Sequence, residues 1–211
     1  MSTTLYYSRS TASLVVHWLL IELGIPHELH ELDFDKRDQK SDDYLKLNPA
    51  GVVPTLVMDG QVITETAAIL MHLADTHPRA ELAPAVATTQ RAQYYRWMLC
   101  CANTLMPAYR AWFYADEIAG PENAEASRLH ARLKLERAWQ QVADHREAHG
   151  PYLLGAQRSA ADFLLTMLMR WSRNMPRPTD RWPVLHAHAQ RMKALPSFRE
   201  VYAREGLTDW T

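Results

Sequence analysis

The chain has 211 residues, which is enough for one large domain or two smaller domains with hydrophobic cores of their own. Hydrophobic residues make up 47% and charged residues 22%, proportions that indicate a globular protein and exclude a disordered one. The formal net charge of −1 gives no global field that would recruit nucleic acid or an anionic membrane.

The amino-terminal residues show no targeting or membrane-spanning pattern. MSTTLYYSRS has neither a basic start nor a long apolar run, and the apolar stretch 14–21 is too short to cross a bilayer. The two cysteines, Cys100 and Cys101, are adjacent, and neighbours on a helix point about 100° apart, which disfavours a disulfide between them. We therefore expect a cytoplasmic protein that has no membrane partner.

The chain begins with a mixed pattern of strands and helices. A β-prone run over residues 3–7 leads into the small polar stretch 8–13, which suits a turn and a helix start. Apolar residues over 14–23 then predict a helix that stops at Gly24. Polar and apolar residues alternate over 28–34, as expected of a half-buried strand.

A hairpin follows after a charged loop. Asp59-Gly60 is a strong turn signal, and it lies between the β-prone runs 55–58 and 61–64. An apolar stripe then predicts a helix over 67–77. Residues 1–77 are thus predicted to form one domain of order β-α-β, β-β-α.

The rest of the chain is predicted to be helical. Residues 78–84 read as a linker and residues 85–211 as an all-helical domain, with Pro107 kinking its first helix. The helices are predicted over 89–118, 122–149, 160–174, 181–194 and 197–205. The fold class is therefore α/β plus all-α.

Two local motifs stand in the first domain. In LNPAGVVPTL, Val53 is pushed towards extended geometry by Pro54, and a proline that opens a strand at a turn is a candidate for a cis peptide. Thr64-Glu65-Thr66 joins a strand to a helix, where free backbone N–H groups can bind a carboxylate. A simpler interpretation is that a threonine there only caps the helix.

A third motif stands in the helical domain. In GAQRSAADFLL, Ser159 and Asp162 have the spacing of a capping box before an apolar run. We interpret this motif as purely structural.

These motifs, in this order, resemble the cytosolic glutathione transferases. The resemblance spans essentially the whole chain and is closest to bacterial beta-class members through LYYSRSTASL, DDYLKLNPAGVVPTL, ITETAAILMHLAD and the capping-box helix. It implies an N-terminal thioredoxin-like domain, a C-terminal helical bundle and a homodimer, with glutathione as co-substrate.

The resemblance also assigns a glutathione site. Val53, before a cis Pro54, would pair its backbone with the cysteinyl part of glutathione. Glu65 and Thr66 would hold the γ-glutamyl end, and Lys36 is the nearest match for a loop residue that contacts the glycine carboxylate.

The chemistry of conjugation needs a glutathione thiolate. The resemblance places Ser10 where serine-using classes such as zeta carry their catalytic serine, so we rank Ser10 first, Tyr7 second and Thr11 third. Ala12 stands where the beta class has its cysteine, and Met106 stands at about the place of its histidine. The alternative is that Tyr7 only packs at a strand end while Ser10 and Thr11 only cap the helix.

One hydroxyl donor and one helix end suffice for this chemistry. Lowering a thiol pKa by about two units takes about 2.7 kcal/mol. A hydrogen bond to a charged group gives about 1.5 to 3 kcal/mol, and a helix N-terminus adds about 0.3 to 2 kcal/mol. No general base is required. The ten histidines show no metal-ligand spacing, so no metal is expected.

An apolar acceptor site is expected on the first helix of the second domain. Met106, Tyr109, Trp112 and Phe113 recur there at helical spacing beside Pro107. A stripe of this kind is also typical of a helix core. Trp210 near the carboxyl end is a candidate to close over the site.

Three functions remain open from the sequence. The first is conjugation of glutathione to small hydrophobic electrophiles, which would make the protein a detoxifying transferase. The second is another glutathione-dependent reaction, such as that of an isomerase, a peroxidase or a dehalogenase. The third is a non-catalytic interaction module, which the missing cysteine and histidine keep open.

Overall fold

The computed structural model describes residues 2–211 and divides the chain into two compact units. The first unit runs to Ala83 and resumes from Lys193 to Thr211, and the second spans Pro84–Met192. No helix within residues 2–211 combines the length and the apolar character needed to cross a membrane.

The first unit contains a four-stranded mixed sheet. Its strands are β1 (Thr3–Tyr7), β2 (Glu28–Glu31), β3 (Thr55–Met58) and β4 (Gln61–Ile63), in the order β2-β1-β3-β4. β1 runs parallel to β2 and antiparallel to β3, and β3 pairs antiparallel with β4 across the predicted hairpin. The strand order along the chain and the hairpin confirm the predicted thioredoxin-like topology.

Helices account for most of the remaining chain. Along the described residues they are α1 (Ser13–Glu22), α2 (Asp42–Leu47), α3 (Thr66–Thr76), α4 (Thr89–Cys100), α5 (Met106–Phe113), α6 (Ala115–Ala119), α7 (Ala124–His149), α8 (Ala160–Trp171), α9 (Pro183–Lys193) and α10 (Pro196–Glu205).

α1 is the central helix of the first unit. It packs against β1, α3 and α10, and every residue from Ser13 to Leu20 is buried. A helix that is covered on all sides needs apolar residues around its whole circumference. The run LVVHWLL meets this requirement apart from His17, whose partner is described below.

The last helix belongs to the first unit, which differs from the predicted domain of residues 85–211. Lys193–Thr211 groups with the sheet because α10 packs on α1. Trp18 donates its indole N–H to the Ser197 hydroxyl over 2.9 Å, and its ring meets that of Phe198 edge-to-face at 5.1 Å. Helical periodicity identifies α10 as amphipathic, but it does not identify the surface that α10 covers.

The second unit is helical, and its first predicted helix is interrupted. Residues 89–118 form α4, a π-helical segment (Cys101–Leu105), α5 and α6 rather than one kinked helix. Pro107 is the second residue of α5, just after the π-helical segment, and because proline has no N–H it cannot continue the regular hydrogen-bond ladder. The only β pairing in the described residues after Pro84 is an isolated bridge between Tyr152 and Gly155.

The predicted capping box at the start of α8 is confirmed. Ser159 donates its backbone N–H to the Asp162 carboxylate over 2.8 Å, and the Ser159 hydroxyl donates to the same oxygen over 2.9 Å. The other carboxylate oxygen accepts the N–H of Leu153 over 2.9 Å. The fully buried Asp162 therefore joins the start of α8 to the preceding loop.

Candidate functional site

Three chain segments meet at one edge of the sheet. The register pairs Tyr6 with Thr55, so the end of β1 lies beside the start of β3. It also pairs Leu56 with Ile63, so the end of β4 lies beside the start of β3 as well. The loop after Tyr7, the Val53-Pro54 peptide and the start of α3 are consequently at the same edge. Two of these segments lead into helix N-termini, which favour negative charge.

The loop before β3 is tightly fixed. The Val53-Pro54 peptide is cis, as the sequence suggested, and Val53 is only 9% exposed. The preceding carbonyl, that of Val52, accepts hydrogen bonds from the Tyr44 hydroxyl over 2.6 Å and from the Asn48 amide over 2.8 Å. Side chains of α2 and its carboxyl end thus hold the backbone that leads into Val53.

The start of α3 has an unusual backbone. Glu65 is the N-cap residue with φ 68° and ψ 110°, and its side chain makes no capping hydrogen bond. A positive φ costs energy in a residue other than glycine, and such strain is concentrated at functional sites. The next residue, Thr66, is buried at the first position of the helix, where backbone N–H groups have no acceptor within the helix.

Ser10 lies in the loop between β1 and α1 and also has a positive φ, of 63°. Its backbone N–H donates to the Glu205 carboxylate over 3.2 Å. Ser10 does not cap α1, because the N-cap position is occupied by Ala12. Ser10 thus lies two residues before the N-cap of α1.

Thr11 has the structural role that was the alternative for both hydroxyl residues. Its hydroxyl donates to the Ser8 carbonyl over 2.7 Å and lies 2.8 Å from the Ser13 hydroxyl. Ser13 in turn donates to the Ser8 carbonyl over 3.0 Å. These bonds close the turn that starts α1, and they occupy Thr11.

The hydroxyl of Tyr7 also has a hydrogen-bond partner. It is 5% exposed, and its hydroxyl donates to the Glu31 carboxylate over 3.3 Å. Arg9 forms a two-bond pair with the same carboxylate, at 2.8 and 3.2 Å. Burial and the negative charge of Glu31 raise the pKa of Tyr7. A phenol with a raised pKa and an occupied proton is a poor donor to a second anion.

Lys36 and Lys40, two lysines before the Val53 loop, have different partners. Lys36 is an exposed residue in an ion pair with Asp33 at 2.9 Å, and its pKa is raised by that hydrogen bond. Lys40 instead donates to the carbonyl of Ala50 over 3.2 Å. Its ammonium lies so close to Gly51 that a Cβ there would be 2.7 Å away. Lys40 is therefore fixed next to the Val53 loop.

The four aromatic and apolar residues predicted for the acceptor site do not share one environment. Tyr109 is fully buried in the second unit, accepting the indole N–H of Trp139 over 3.2 Å and meeting Trp171 edge-to-face. Its full burial makes it a core residue of this unit, so we leave it out of the acceptor site proposed below. Met106 and Trp112 are partly buried, and Phe113 is 48% exposed.

Trp210 contacts residues of the first unit. Its ring lies 6.4 Å from that of Phe198 and 4.9 Å from the ammonium of Lys193. Lys193 also donates to the carbonyl of Thr211 over 3.0 Å. The tail is thus fastened within the first unit, against α10.

Two contributors were missed in the sequence. Glu205 is 195 residues from Ser10 in the chain, and no local pattern marks it as a partner. Lys40 precedes the Val53 loop by only ten residues, but the charged stretch around it offered several basic residues at similar spacing. Within residues 2–211, no group of three or more His, Cys, Asp or Glu side chains is placed to hold a metal ion.

Comparison with known proteins gives consistent matches. The family model for the N-terminal domain of glutathione S-transferases matches residues 9–76. Glutathione S-transferase GST-4.5 of Xanthomonas campestris is 33% identical over 205 residues, covering 96% of this chain and 98% of that protein. The maleylacetoacetate isomerase of Rhizobium meliloti is 27% identical over 205 residues, covering 95% of each chain.

Solved structures agree with these matches. A glutathione transferase from Methylococcus capsulatus superposes with a TM-score of 0.87 at 33% identity, covering 98% of this chain and 100% of that one. A glutathione transferase homologue from Sulfitobacter, solved with bound glutathione, has a TM-score of 0.86 at 28% identity and covers 98% and 99% of the two chains.

Proposed function

The chain belongs to the glutathione S-transferase family, and from this premise we propose that it binds glutathione at the sheet edge described above and transfers the thiolate to a small hydrophobic electrophile. The observation that carries the proposal is the meeting of the Ser10 loop, the Val53-Pro54 peptide and the start of α3. Glutathione is a tripeptide with two carboxylates and one thiol, and this edge offers a backbone segment held by hydrogen bonds together with two helix N-termini.

Each part of glutathione has a partner in the proposal. The cysteinyl backbone pairs with Val53, whose position is fixed by the clamp on the Val52 carbonyl. The γ-glutamyl end binds at Glu65 and Thr66, at the start of α3, where the first backbone N–H groups have no acceptor within the helix. For the glycine carboxylate we prefer Lys40 to Lys36, because Lys40 is bonded to the Val53 loop while Lys36 is paired with Asp33.

Ser10 is the proposed donor to the thiolate. Ser10 stands where the family resemblance places the catalytic serine, whereas the Tyr7 hydroxyl donates to Glu31 and the Thr11 hydroxyl donates to the Ser8 carbonyl. The loop of Ser10 precedes α1, whose N-terminus adds favourable potential for an anion. A hydrogen bond to a charged group, about 1.5 to 3 kcal/mol, corresponds to a thiol pKa lower by about one to two units.

The acceptor site in this proposal is formed by Met106, Trp112 and Phe113, without Tyr109. Apolar and partly exposed side chains suit a hydrophobic electrophile, because binding it removes apolar surface from water. Apart from the indole N–H of Trp112, these three residues offer no polar group that would select one acceptor over another. A generic aromatic electrophile is therefore a suitable first substrate.

The test is a titration with glutathione followed by a conjugation assay. We expect the protein to bind glutathione in a calorimeter and to form a conjugate with 1-chloro-2,4-dinitrobenzene. Thr66→Ala is expected to raise the Kd for glutathione about tenfold with little change in kcat, because its contact is equal in ground and transition states. Thr76→Ala, at the other end of α3, is the matched control and leaves both values unchanged. A wild-type protein that neither binds glutathione nor forms a conjugate refutes the proposal.

The catalytic donor is tested by ultraviolet titration of the bound thiol. Ser10→Ala is expected to raise the thiol pKa by about one unit and to lower kcat about tenfold, with a smaller change in glutathione affinity. Tyr7→Phe is expected to change neither, since its hydroxyl serves Glu31. The opposite pattern would make tyrosine the donor.

Isomerisation is the second candidate, because a full-length relative is named as an isomerase. A thiolate that adds to a conjugated double bond, allows rotation and then leaves regenerates glutathione, so the same bound thiolate serves both reactions. The discriminating measurement is glutathione consumption, which is stoichiometric in conjugation and absent in isomerisation. Turnover of a cis-unsaturated keto acid without loss of glutathione would favour the isomerase.

Assembly and location complete the proposal. We expect a cytoplasmic homodimer, as the family resemblance implies, with twofold symmetry between identical surfaces. The subunit mass is 24.3 kDa. Sedimentation at micromolar concentration that yields only this mass contradicts the dimer and leaves the glutathione site to be judged by the binding experiment.

A further inference from the structure

α10 is fastened to α1 by polar contacts at both of its ends. Near its start, Ser197 accepts the indole N–H of Trp18 over 2.9 Å and also contacts the carboxylate of Glu22. At its end, the Glu205 carboxylate lies 2.9 Å from Nδ1 of His17. The two helices therefore run antiparallel, with the end of α10 next to the start of α1.

Glu205 is placed where stability alone does not favour a carboxylate. The side chains of Glu205 and His17 are both fully buried, at 0% exposure. Burying a carboxylate is costly unless all its oxygens are hydrogen-bonded. Glu205 is also the last residue of α10, where the negative end of the helix dipole opposes another negative charge. Because desolvation and the helix dipole both disfavour Glu205, we look for its role in the hydrogen bonds that its carboxylate oxygens accept.

The second oxygen of Glu205 holds the Ser10 loop. Oε2 accepts the backbone N–H of Ser10 over 3.2 Å, at the residue whose φ is 63°. The same end of α10 also lies near the Arg9 side chain, since a Cβ added to Gly206 would be 3.6 Å from Nη1 of Arg9. One carboxylate thus joins α1 to the loop through His17 and Ser10.

We infer that Glu205 is a positioning residue for the Ser10 loop. It keeps the Ser10 backbone in its left-handed conformation and so keeps the Ser10 hydroxyl where the glutathione thiolate is proposed to lie. The carboxyl-terminal helix is then part of the machinery that activates the thiol. The catalytic consequence rests on the proposed function, whereas the tether itself does not.

The test compares two substitutions at one position. Glu205→Met has a similar length but accepts no hydrogen bond, whereas Glu205→Gln can accept from Ser10 through its oxygen and donate to Nδ1 of His17 through its amide. We expect Glu205→Met to lower kcat by roughly tenfold or more and to raise the pKa of the bound thiol, with KM for glutathione changed less than about twofold. Glu205→Gln is expected to restore kcat to within about threefold of wild type.

Two controls separate positioning from helix docking. Ser197→Ala weakens the other end of the α1–α10 contact without touching the loop. If α10 acts only as a structural element, Ser197→Ala and Glu205→Met lower kcat equally for an equal loss of melting temperature, and the inference fails. Glu200→Gln, which removes an exposed partner of Arg204 on the same helix, is expected to leave kcat and the thiol pKa unchanged.

Amide hydrogen exchange tests the tether without glutathione. The Ser10 N–H of the wild-type protein is expected to exchange at least about tenfold more slowly than an unbonded loop amide, and to remain protected in Glu205→Gln. Exchange at the unprotected rate overturns the inference, and this result stands even if Glu205→Met does not fold. If the wild-type protein does not bind glutathione but its Ser10 N–H is protected from exchange, the proposed function is refuted while the contact between Glu205 and the Ser10 loop is supported.

Discussion

Asn48 is the side chain whose removal should most directly loosen the proposed glutathione-binding backbone. It is 3% exposed. Its amide donates to the Val52 carbonyl over 2.8 Å and to the Thr55 hydroxyl over 3.0 Å, and its carbonyl oxygen accepts the N–H of Ala50 over 3.1 Å. Asn48→Ala therefore deletes three hydrogen bonds within one loop.

The magnitude follows from these bonds. At about 1 kcal/mol for each neutral hydrogen bond, Asn48→Ala lowers the free energy of unfolding by about 3 kcal/mol. The Val52 carbonyl keeps its 2.6 Å bond from Tyr44, so the loop loosens without detaching. Ordering one released residue on binding costs about 1 to 2 kcal/mol, which weakens glutathione affinity about tenfold.

The assay is urea unfolding followed by tryptophan fluorescence, together with calorimetric titration of glutathione. Asn123→Ala is the matched control, since its amide donates to the Ala119 carbonyl on the exposed surface. We expect that control to change stability by less than about 0.5 kcal/mol and glutathione affinity not at all. An Asn48→Ala protein that loses stability but keeps wild-type affinity would refute the role of this loop in binding.

The remaining predictions concern four other residues. Gly51→Ala is expected to cost at least about 2 kcal/mol of stability, because φ is 60° and the new Cβ would lie 2.8 Å from the backbone carbonyl oxygen of Gln39. Tyr109→Phe is expected to lower stability by about 1 kcal/mol through loss of its bond to an indole, without changing KM for the electrophile. Phe113→Ala is instead expected to raise that KM severalfold by removing apolar contact area. Burial lowers the pKa of His188 to about 3, whereas the unfolded-state pKa is about 6.5. The neutral histidine therefore costs the folded state nothing above a pH of about 6.5, but below it the unfolded chain takes up a proton that the folded chain does not. We expect the free energy of unfolding to fall by about 2 kcal/mol from pH 7 to pH 5 for this reason.

For Gly51, Tyr109 and His188, a control or a contrary result tests the reasoning. Gly60→Ala has a φ of 80° but no atom within 4 Å of the new Cβ, so it should cost less than Gly51→Ala, and equal costs would contradict the steric argument. A higher electrophile KM in Tyr109→Phe would return that residue to the acceptor site. Urea midpoints measured across pH should have a shallower acid slope in His188→Gln, and an unchanged slope would assign the acid sensitivity to other groups.

The sequence alone determined the features that depend on neighbouring residues. The hairpin at Asp59-Gly60, the cis peptide at Pro54 and the capping box of Ser159 and Asp162 all follow from conformational preferences and hydrogen bonds within a few residues. The order of strands and helices follows from hydrophobic periodicity, which is equally local. The ordered motifs were also sufficient to identify the family.

Only the tertiary structure decided which candidate side chains are available. Helical spacing grouped Tyr109 with Phe113, yet one is buried against α7 and α8 and the other is half-exposed, because periodicity gives a face of the helix but not its neighbour. The ranking of Ser10 before Tyr7 and Thr11 came from the family resemblance, whereas the partners of the Tyr7 and Thr11 hydroxyls are known only from the structure. The decisive partner of Ser10 is Glu205, which is brought to it by the packing of α10 on α1. Contacts between residues so far apart in the chain leave no periodic signal in the sequence, since they arise only when separate elements pack together.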